Sequence, residues 1–468
     1  MGFKDKLARA EQLFGFDTVY LVPGRAEVEP NEVDIRTRFS RNVPLLVPVV
    51  SSPMDTVTEH ELAIVLALHG ALGVIHRNMP VEQQVEEVRK VKEHPPIRLR
   101  IAYLRPSDSC AYALEIMRQL GVRSLPVVDG TTVSGYVYFS ELEKECHSGH
   151  ERVRDSTKPG KTYSVKSVNE ARLDVVRGVT DAAAIVLSNG NYVGTLLVSD
   201  ALEELTPLLD NEGRLRVAAA ISPFDKERAL KLDKHVDALV SDVAHFHNSN
   251  VIKAARNLVK EITSDFVAGN IGTYNAAIDV VSEIERIDGL RVGIAGGSIC
   301  TTAFVGGAYA PTLWAVASVR DALKEMGADD TPVIADGGIR SSGDAVKALA
   351  AGASSVMLGY VFAGTDEAAA PLIAMGEKLY KPYRGMASKG AMSRRFAADR
   401  YTRLVKRAAE GVEGLVAYKG PAAKVLKEFI EGIKAGLGYA GARNIAELWE
   451  KAVFGIAPRK YTIGEINE

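Results

Sequence analysis

A chain of 468 residues, 47% hydrophobic and 25% charged, has an ordinary globular composition and material for two or three domains. Its net charge of −2, with acids and bases interspersed, excludes a basic nucleic-acid stripe and a polybasic membrane patch and points to a small-molecule partner. Three scattered cysteines (Cys110, Cys146 and Cys300), no apolar leader after MGFKDKLARAEQ and no run of about 18 apolar residues fit a cytoplasmic protein without a disulfide framework or zinc site.

Short apolar runs alternate with amphipathic stretches, the pattern of a parallel α/β sheet or barrel. The predicted strands are Leu45 to Val50, Leu72 to His76, Leu215 to Ile221, Ala238 to Ala244, Asp265 to Asn270, Leu290 to Ile294, Pro332 to Asp336 and Ser355 to Gly359. Pro48 counts against the first, because proline donates nothing to a strand ladder. Most of these runs start about 23 to 27 residues apart, the length of one βα unit, which predicts a (β/α)8 TIM barrel.

One gap, of about 140 residues between the second and third runs, marks an insertion from about Glu93 to Pro207. The barrel then comprises residues 1–92 and 208–468. The two halves of the insert echo one another, RSLPVVDGTTVSGYVYFSELE against DAAAIVLSNGNYVGTLLVSDALE, a tandem repeat whose units pair to bury a shared face. They resemble two CBS motifs. After the eighth run the chain passes through a Gly-, Arg-, Ser- and Ala-rich stretch, about 383–420, read as an active-site flap. Val425, Leu426, Phe429, Ile430 and Ile433 then recur at helical spacing and predict a helix packed on the barrel.

Barrel chemistry sits at the C-terminal ends of the strands. GIAGGSICTT puts Cys300 in a glycine-rich loop with Ser298, Thr301 and Thr302; a cysteine among backbone donors can act as a nucleophile, although a buried structural thiol explains it equally well. IADGGIRSSGDA and MLGYVFAGT supply Gly337, Gly338 and Gly359, which permit close backbone approach to a phosphate. Asp336 then faces the pocket as a ribose ligand, or else serves as a helix cap. In SSPMDTVTEHE, Ser52 and Thr56 are candidate caps and Met54 can pack on a flat base. Asp242 and His245 follow the fourth run, but no third ligand at suitable spacing supports a metal there. No Rossmann GxGxxG pattern is present, so a dinucleotide must bind on the barrel face.

SSPMDTVTEHELA, HRNMPVEQQ, AGNIGT, LRVGIAGGSICTT, IADGGIRSSGDAVKALAAGA, VMLGYVFAGTDE, YRGMASKGAM and EGVEGLVAYKG resemble, in this order, the barrel motifs of the IMP dehydrogenase and GMP reductase family. The resemblance implies that Cys300 attacks C2 of IMP, that NAD accepts the C2 hydride and that water hydrolyses the covalent thioimidate to XMP. Ser298, Asp336, Gly338, Gly359 and Tyr360 would then hold ribose and phosphate, Ser52 and Met54 the base, and Tyr383, Met386 and Glu410 the phosphate or purine from the flap side. Asp242, Asn270 and Arg291 are similar to residues near the nicotinamide. Arg400 and Tyr401, with Asp399, match the dehydrogenase DRY triplet, in which the arginine activates water with help from Thr302. Potassium would be held by backbone carbonyls of Ala295, Gly297 and Cys300. The family also implies a homotetramer, or an octamer through CBS pairing, and an adenine or guanine nucleotide at the CBS domain.

Some positions depart from the family pattern. The loop after SICTT reads AFVGGAYAPT, with Ala303, Tyr309 and Thr312 altered. Ala295 and Ala387 replace common glycines, and Tyr360 stands where a phosphate-binding serine is common. In the CBS halves the ribose-binding signature reads GYVYFSE and GTLLVSD, with Tyr138 and Leu197 in place of the hydroxyl and only Asp200 retained. Two further readings stand beside the dehydrogenase: a GMP reductase using Cys300 and Thr302 with NADPH, and a catalytically inactive nucleotide-binding regulator.

Overall fold

The computed structural model describes residues 3–147, 151–393, 396 and 411–457. The chain divides into two compact units, Met1–Lys92 with Arg216–Glu468, and Glu93–Leu215.

The larger unit is built on eight parallel strands: β1 (Val49–Ser51), β2 (Val74–Ile75), β3 (Ala218–Ile221), β4 (Ala238–Ser241), β5 (Asp265–Ile271), β6 (Gly289–Val292), β7 (Val333–Asp336) and β8 (Ser355–Leu358). Their order around the sheet is β1-β8-β7-β6-β5-β4-β3-β2. A parallel bridge between Val50 and Leu72 closes the ring, with the Ser51 N–H donating to Leu72 O at 3.0 Å. This is the predicted TIM barrel. Its strands read as continuous apolar runs because both faces are covered, one by the barrel interior and one by helices.

Most strands are shorter than the apolar runs that announced them. The first is the clearest case: Val43–Leu45 pairs antiparallel with Thr37–Ser40, and the barrel strand begins only at Val49, beyond Pro48. Elsewhere the last residues of the runs, such as Ala244, Ile294 and Gly359, leave the ladder and turn over the barrel mouth.

Each strand is followed by a helix: α1 (His60–Leu68), α2 (Val81–Glu93), α3 (Lys226–Asp233), α4 (Ser249–Leu258), α5 (Tyr274–Glu283), α6 (Thr312–Glu325), α7 (Ser342–Ala350) and α8 (Ala422–Tyr439). Their starts follow capping chemistry. Asn248 accepts from Val251 N at the head of α4, Thr273 from Ala276 N at α5, and Ser341 with Asp344 forms a capping box at α7. The apolar spacing that predicted α8 buries Leu426, Phe429 and Ile433. A methyl on Gly436 would lie 2.5 Å from Val346 Cγ2, so only a glycine lets α8 approach α7 this closely.

Between β8 and α8 the chain makes an antiparallel sheet of Ile373–Met375, Lys378–Arg384 and Glu413–Ala417. The base of the predicted flap is therefore a strand pair, with Tyr383 opposite Gly414 and Arg384 opposite Glu413.

The smaller unit contains two similar halves. In the first, helix Cys110–Leu120 precedes the hairpin Ser124–Asp129/Thr132–Tyr138, over a core of Leu104, Met117, Leu125, Val137 and Leu142. In the second, helix Val168–Val176 precedes the hairpin Ala182–Val186/Tyr192–Leu197, over Ala171, Val175, Ile185 and Leu196. Arg123 and Asp181, which open the two repeated segments, pair with each other at 3.1 Å. The cysteine spacing predicted no disulfide, but Cys110 and Cys146 form one, with Cα atoms 5.9 Å apart. A separation of 36 residues in sequence hides a proximity that the packing of their two helices creates. Among the described residues no helix is long and apolar enough to cross a membrane.

Candidate active site

Residues that follow five of the strands, joined by the sheet after β8, wall a cleft at the C-terminal mouth of the barrel. It brings together Ser52, Met54, Asn270, Arg291, Ala295, Gly297, Ser298, Cys300, Thr302, Asp336, Gly338, Gly359, Tyr360, Tyr383 and Met386, all singled out in the sequence.

The loop after β6 carries Cys300. Its backbone N–H donates to Gly297 O at 3.0 Å, its Sγ lies 3.2 Å from Thr302 Oγ1, and it bridges to Gly411 on the far side of the flap. The thiol is half-buried, neither sealed in a core nor open to bulk water. A structural cysteine would be packed among apolar side chains; this one shares its cleft with hydroxyls and glycine backbone.

Ala295, three positions beyond the end of β6 and two beyond Gly293, has φ 61°, in the left-handed region. That conformation costs an L-residue about 1–2 kcal/mol, and glycine adopts it freely. Ala295→Gly is therefore expected to raise the thermal unfolding midpoint, by the equivalent of about 1 kcal/mol. A lowered midpoint would show that the alanine methyl contributes more by packing than its backbone loses by strain.

Opposite this loop, the β7 and β8 loops meet the sheet. Gly338 has φ 77°, and a methyl on Gly359 would lie 2.8 Å from Met54 Sδ and 3.0 Å from the Tyr383 hydroxyl. Both positions expose backbone that a side chain would cover. Burial pushes the Tyr383 phenol up to about 12, with the Asp336 charge adding to it and the Ser298 hydrogen bond opposing it. At neutral pH the group is thus a protonated donor. Tyr360 packs its ring edge-on to Tyr383, with centroids 6.2 Å apart.

Beneath the cleft runs a chain of alternating charges. Asp336 Oδ2 accepts from Arg291 Nε and from Asn270 Nδ2, each at 2.8 Å; Arg291 Nη1 reaches Asp242 Oδ1 at 3.1 Å, and Arg77 Nε stands 3.6 Å from Asp242 Oδ2. Asp242, expected beside the nicotinamide, does not line the cleft; it is fully buried behind Arg291, because the guanidinium needs a countercharge on its inner side. Asn270 also donates to Gly293 O at 3.0 Å, which fixes its amide and leaves its buried Oδ1 without a partner among the described residues.

The sequence reading missed a second ion pair. Arg384 donates to Asp55 at 2.6 Å, joining the loop after β1 to the sheet after β8, and Met386 Sδ accepts the Asp55 N–H at 3.4 Å. Burial opposes ionisation of Asp55, but its bonds to Arg384 and Asn78 outweigh this and hold its carboxyl below the usual range. Both residues sit in quoted motifs, yet nothing local pairs positions 55 and 384. Thr312 was likewise noted only as an alteration; it is buried and donates to Asp336 O at 2.9 Å. His247, two residues past His245, is tied to Asp279 at 2.7 Å. Arg400, Tyr401 and Glu410 lie outside the described residues.

Comparison with known proteins agrees with this geometry. A family profile described as IMP dehydrogenase / GMP reductase domain matches residues 13–460. The chain is 45% identical to the inosine-5′-monophosphate dehydrogenase of Korarchaeum cryptofilum, over 96% of this chain and 94% of that protein. It is 41% identical to the protein of the same name from Thermoplasma acidophilum, over 97% and 93%. Among solved structures it is similar to a GMP reductase variant from Trypanosoma brucei in complex with guanosine 5′-monophosphate, with a TM-score of 0.71 and 32% identity, covering 99% of this chain and 98% of that one.

Proposed function

The chain belongs to the IMP dehydrogenase / GMP reductase family, and from that premise we propose that it is an NAD-dependent oxidoreductase that converts IMP to XMP through a covalent bond to Cys300. The observation that carries this reading is the half-buried Cys300 thiol, 3.2 Å from the Thr302 hydroxyl in a cleft walled by glycine backbone and Tyr383.

Cys300 gives up its proton and Sγ bonds to C2 of the purine, while the hydride on C2 leaves with its electron pair. NAD, when bound, supplies the acceptor for that hydride. Water then adds at the same carbon, the C–S bond breaks, the thiol regains a proton and XMP is released. Dividing the oxidation into two covalent steps replaces one high barrier by two lower ones. Thr302 is positioned to pass a proton to or from Sγ. Arg400, with Tyr401, is assigned to activate the water, and Glu410 to the purine. Asp336 and Ser298 hold ribose, Gly338, Gly359, Tyr360 and Tyr383 phosphate, and Ser52, Met54 and Met386 the base. Asn270 and Arg291 face the nicotinamide side.

Potassium at the carbonyls of Ala295, Gly297 and Cys300 belongs to the same proposal. The left-handed turn at Ala295 redirects the chain there, and Gly297 O keeps one lone pair beyond its bond to Cys300 N. We also propose that the inserted unit is a tandem CBS pair and that the enzyme works in the cytoplasm as a homotetramer or octamer. A nucleotide at the CBS pair would have to displace Arg100, which grips Asp200, the retained ribose-binding position, at 2.8 to 3.0 Å.

The test is an absorbance assay on purified protein. IMP with NAD should form NADH, inosine with NAD should not, and GMP with NADPH should be inert; potassium should accelerate the first reaction. Oxidation of NADPH by GMP would support the reductase instead, the activity named for the Trypanosoma brucei protein. Equal turnover of inosine would remove the phosphate site.

A further inference from the structure

Among the described residues, two guanidinium groups in opposite situations line the cleft. Arg291 is buried and committed, to Asp242 at 3.1 Å and Asp336 at 2.8 Å. Arg340 lies on the loop between β7 and α7, two residues past Gly338, and is exposed. Its backbone N–H is held by Asp344 Oδ2 at 3.1 Å, whereas its guanidinium makes no ion pair or hydrogen bond among the described residues. Lys419, beside Tyr360, does not line the cleft: its ammonium donates to the carbonyls of Tyr360 and Val361 at 2.7 and 3.0 Å and sits 4.3 Å above the Tyr360 ring.

Among the described residues this leaves one uncommitted positive charge on the cleft wall for the substrate assigned to it. A phosphate monoester carries about −1.5 to −2 at neutral pH. The backbone N–H groups of the glycine loops offer hydrogen bonds and partial charge only, and the formal charge of Arg291 is already balanced by Asp242 and Asp336. An anion moved from water into such a cleft is poorly stabilised unless a cation meets it. Arg340 is the cation on the wall that remains uncommitted among the described residues, and it stands next to the glycines that would touch the phosphate. Its field also reaches the Tyr383 hydroxyl on the opposite wall.

We propose that Arg340 is the charge-bearing element of the phosphate site, pairing with the 5′-phosphate of the nucleotide while the Gly338 and Gly359 loops shape the pocket around it. The inference rests on the reading of the cleft as an IMP site. Because its side chain is exposed and unpaired among the described residues, Arg340 can be replaced without opening a cavity or stranding a described partner.

The experiment uses the full-length enzyme with Arg340→Gln, Arg340→Lys and, as a charge-matched control, Lys253→Gln on the exposed face of α4. Loss of one charge-assisted contact should raise KM for IMP about 10- to 100-fold in Arg340→Gln, with kcat changed less than about threefold. Arg340→Lys should recover part of the loss, and Lys253→Gln should match the parent. Weak inhibition by inosine should be unchanged, because that ligand has no phosphate. The rise of KM with salt expected of the parent should flatten in Arg340→Gln. The proposal is overturned if KM for IMP in Arg340→Gln stays within about twofold of the parent, or if inosine binding weakens equally. A parent enzyme that does not oxidise IMP would instead refute the reading on which the proposal stands.

Discussion

Cys300→Ala should form no detectable NADH from IMP and NAD, a loss of at least about 10⁴-fold, whereas Arg400→Ala should transfer one hydride and then stall. The two substitutions strike different steps. Without Sγ there is no adduct from which a hydride can leave. Without the water-activating group the adduct forms normally and waits. Acid–base assistance contributes about 10²- to 10⁴-fold, so steady-state turnover of Arg400→Ala should fall by that order while a burst of about one NADH per site survives. Intact-protein mass spectrometry should then find a nucleotide-sized adduct, mapped by digestion to Cys300. A variant without a burst would move Arg400 into hydride transfer or NAD binding; normal turnover would deny it a role. Cys300→Ala that still forms NADH would end the covalent mechanism.

The barrel was legible because every signal for it is local. A buried parallel strand must be apolar on both faces, and a βα unit has a fixed length. The rim of the site was legible for a related reason: once the strands are placed, the residues that follow them are already at the mouth. Cys300, Asp336 and Gly359 required no knowledge of contacts beyond that rule.

What sequence hid was pairing across space. Asp55 and Arg384 lie 329 residues apart, and only the folded sheet after β8 carries one to the other. Cys110 and Cys146 are separated by a hairpin. Asp242 follows β4 and so was assigned to the cleft, but the rule for strand ends says only where a residue starts, not which way its side chain turns. A guanidinium as deeply buried as that of Arg291, with 3% of its side chain exposed, demands countercharge on more than one side, and Asp242 is drawn inward to supply it.

That buried charge chain carries the second large effect expected. Arg77, Asp242, Arg291 and Asp336 alternate in sign and cancel, and all but Asp336 are almost wholly enclosed. Asp336→Ala would remove one of the two carboxylates paired with the buried Arg291 guanidinium and would strip Asn270 Nδ2 of one acceptor. Breaking a buried pair on one side costs about 3–5 kcal/mol, so the barrel should unfold at a markedly lower denaturant concentration and IMP turnover should be lost. Stability and function separate when both partners go. Arg291→Met with Asp336→Leu removes the charge together with its countercharge, leaves Arg77 paired with Asp242, and should recover most of the lost stability while IMP turnover remains absent. A double variant as unstable as Asp336→Ala would show that geometry rather than charge balance holds the mouth of the barrel together. A fully stable Asp336→Ala would show that water replaces the carboxylate at no cost, and the chain would then be an ornament of the cleft rather than its foundation.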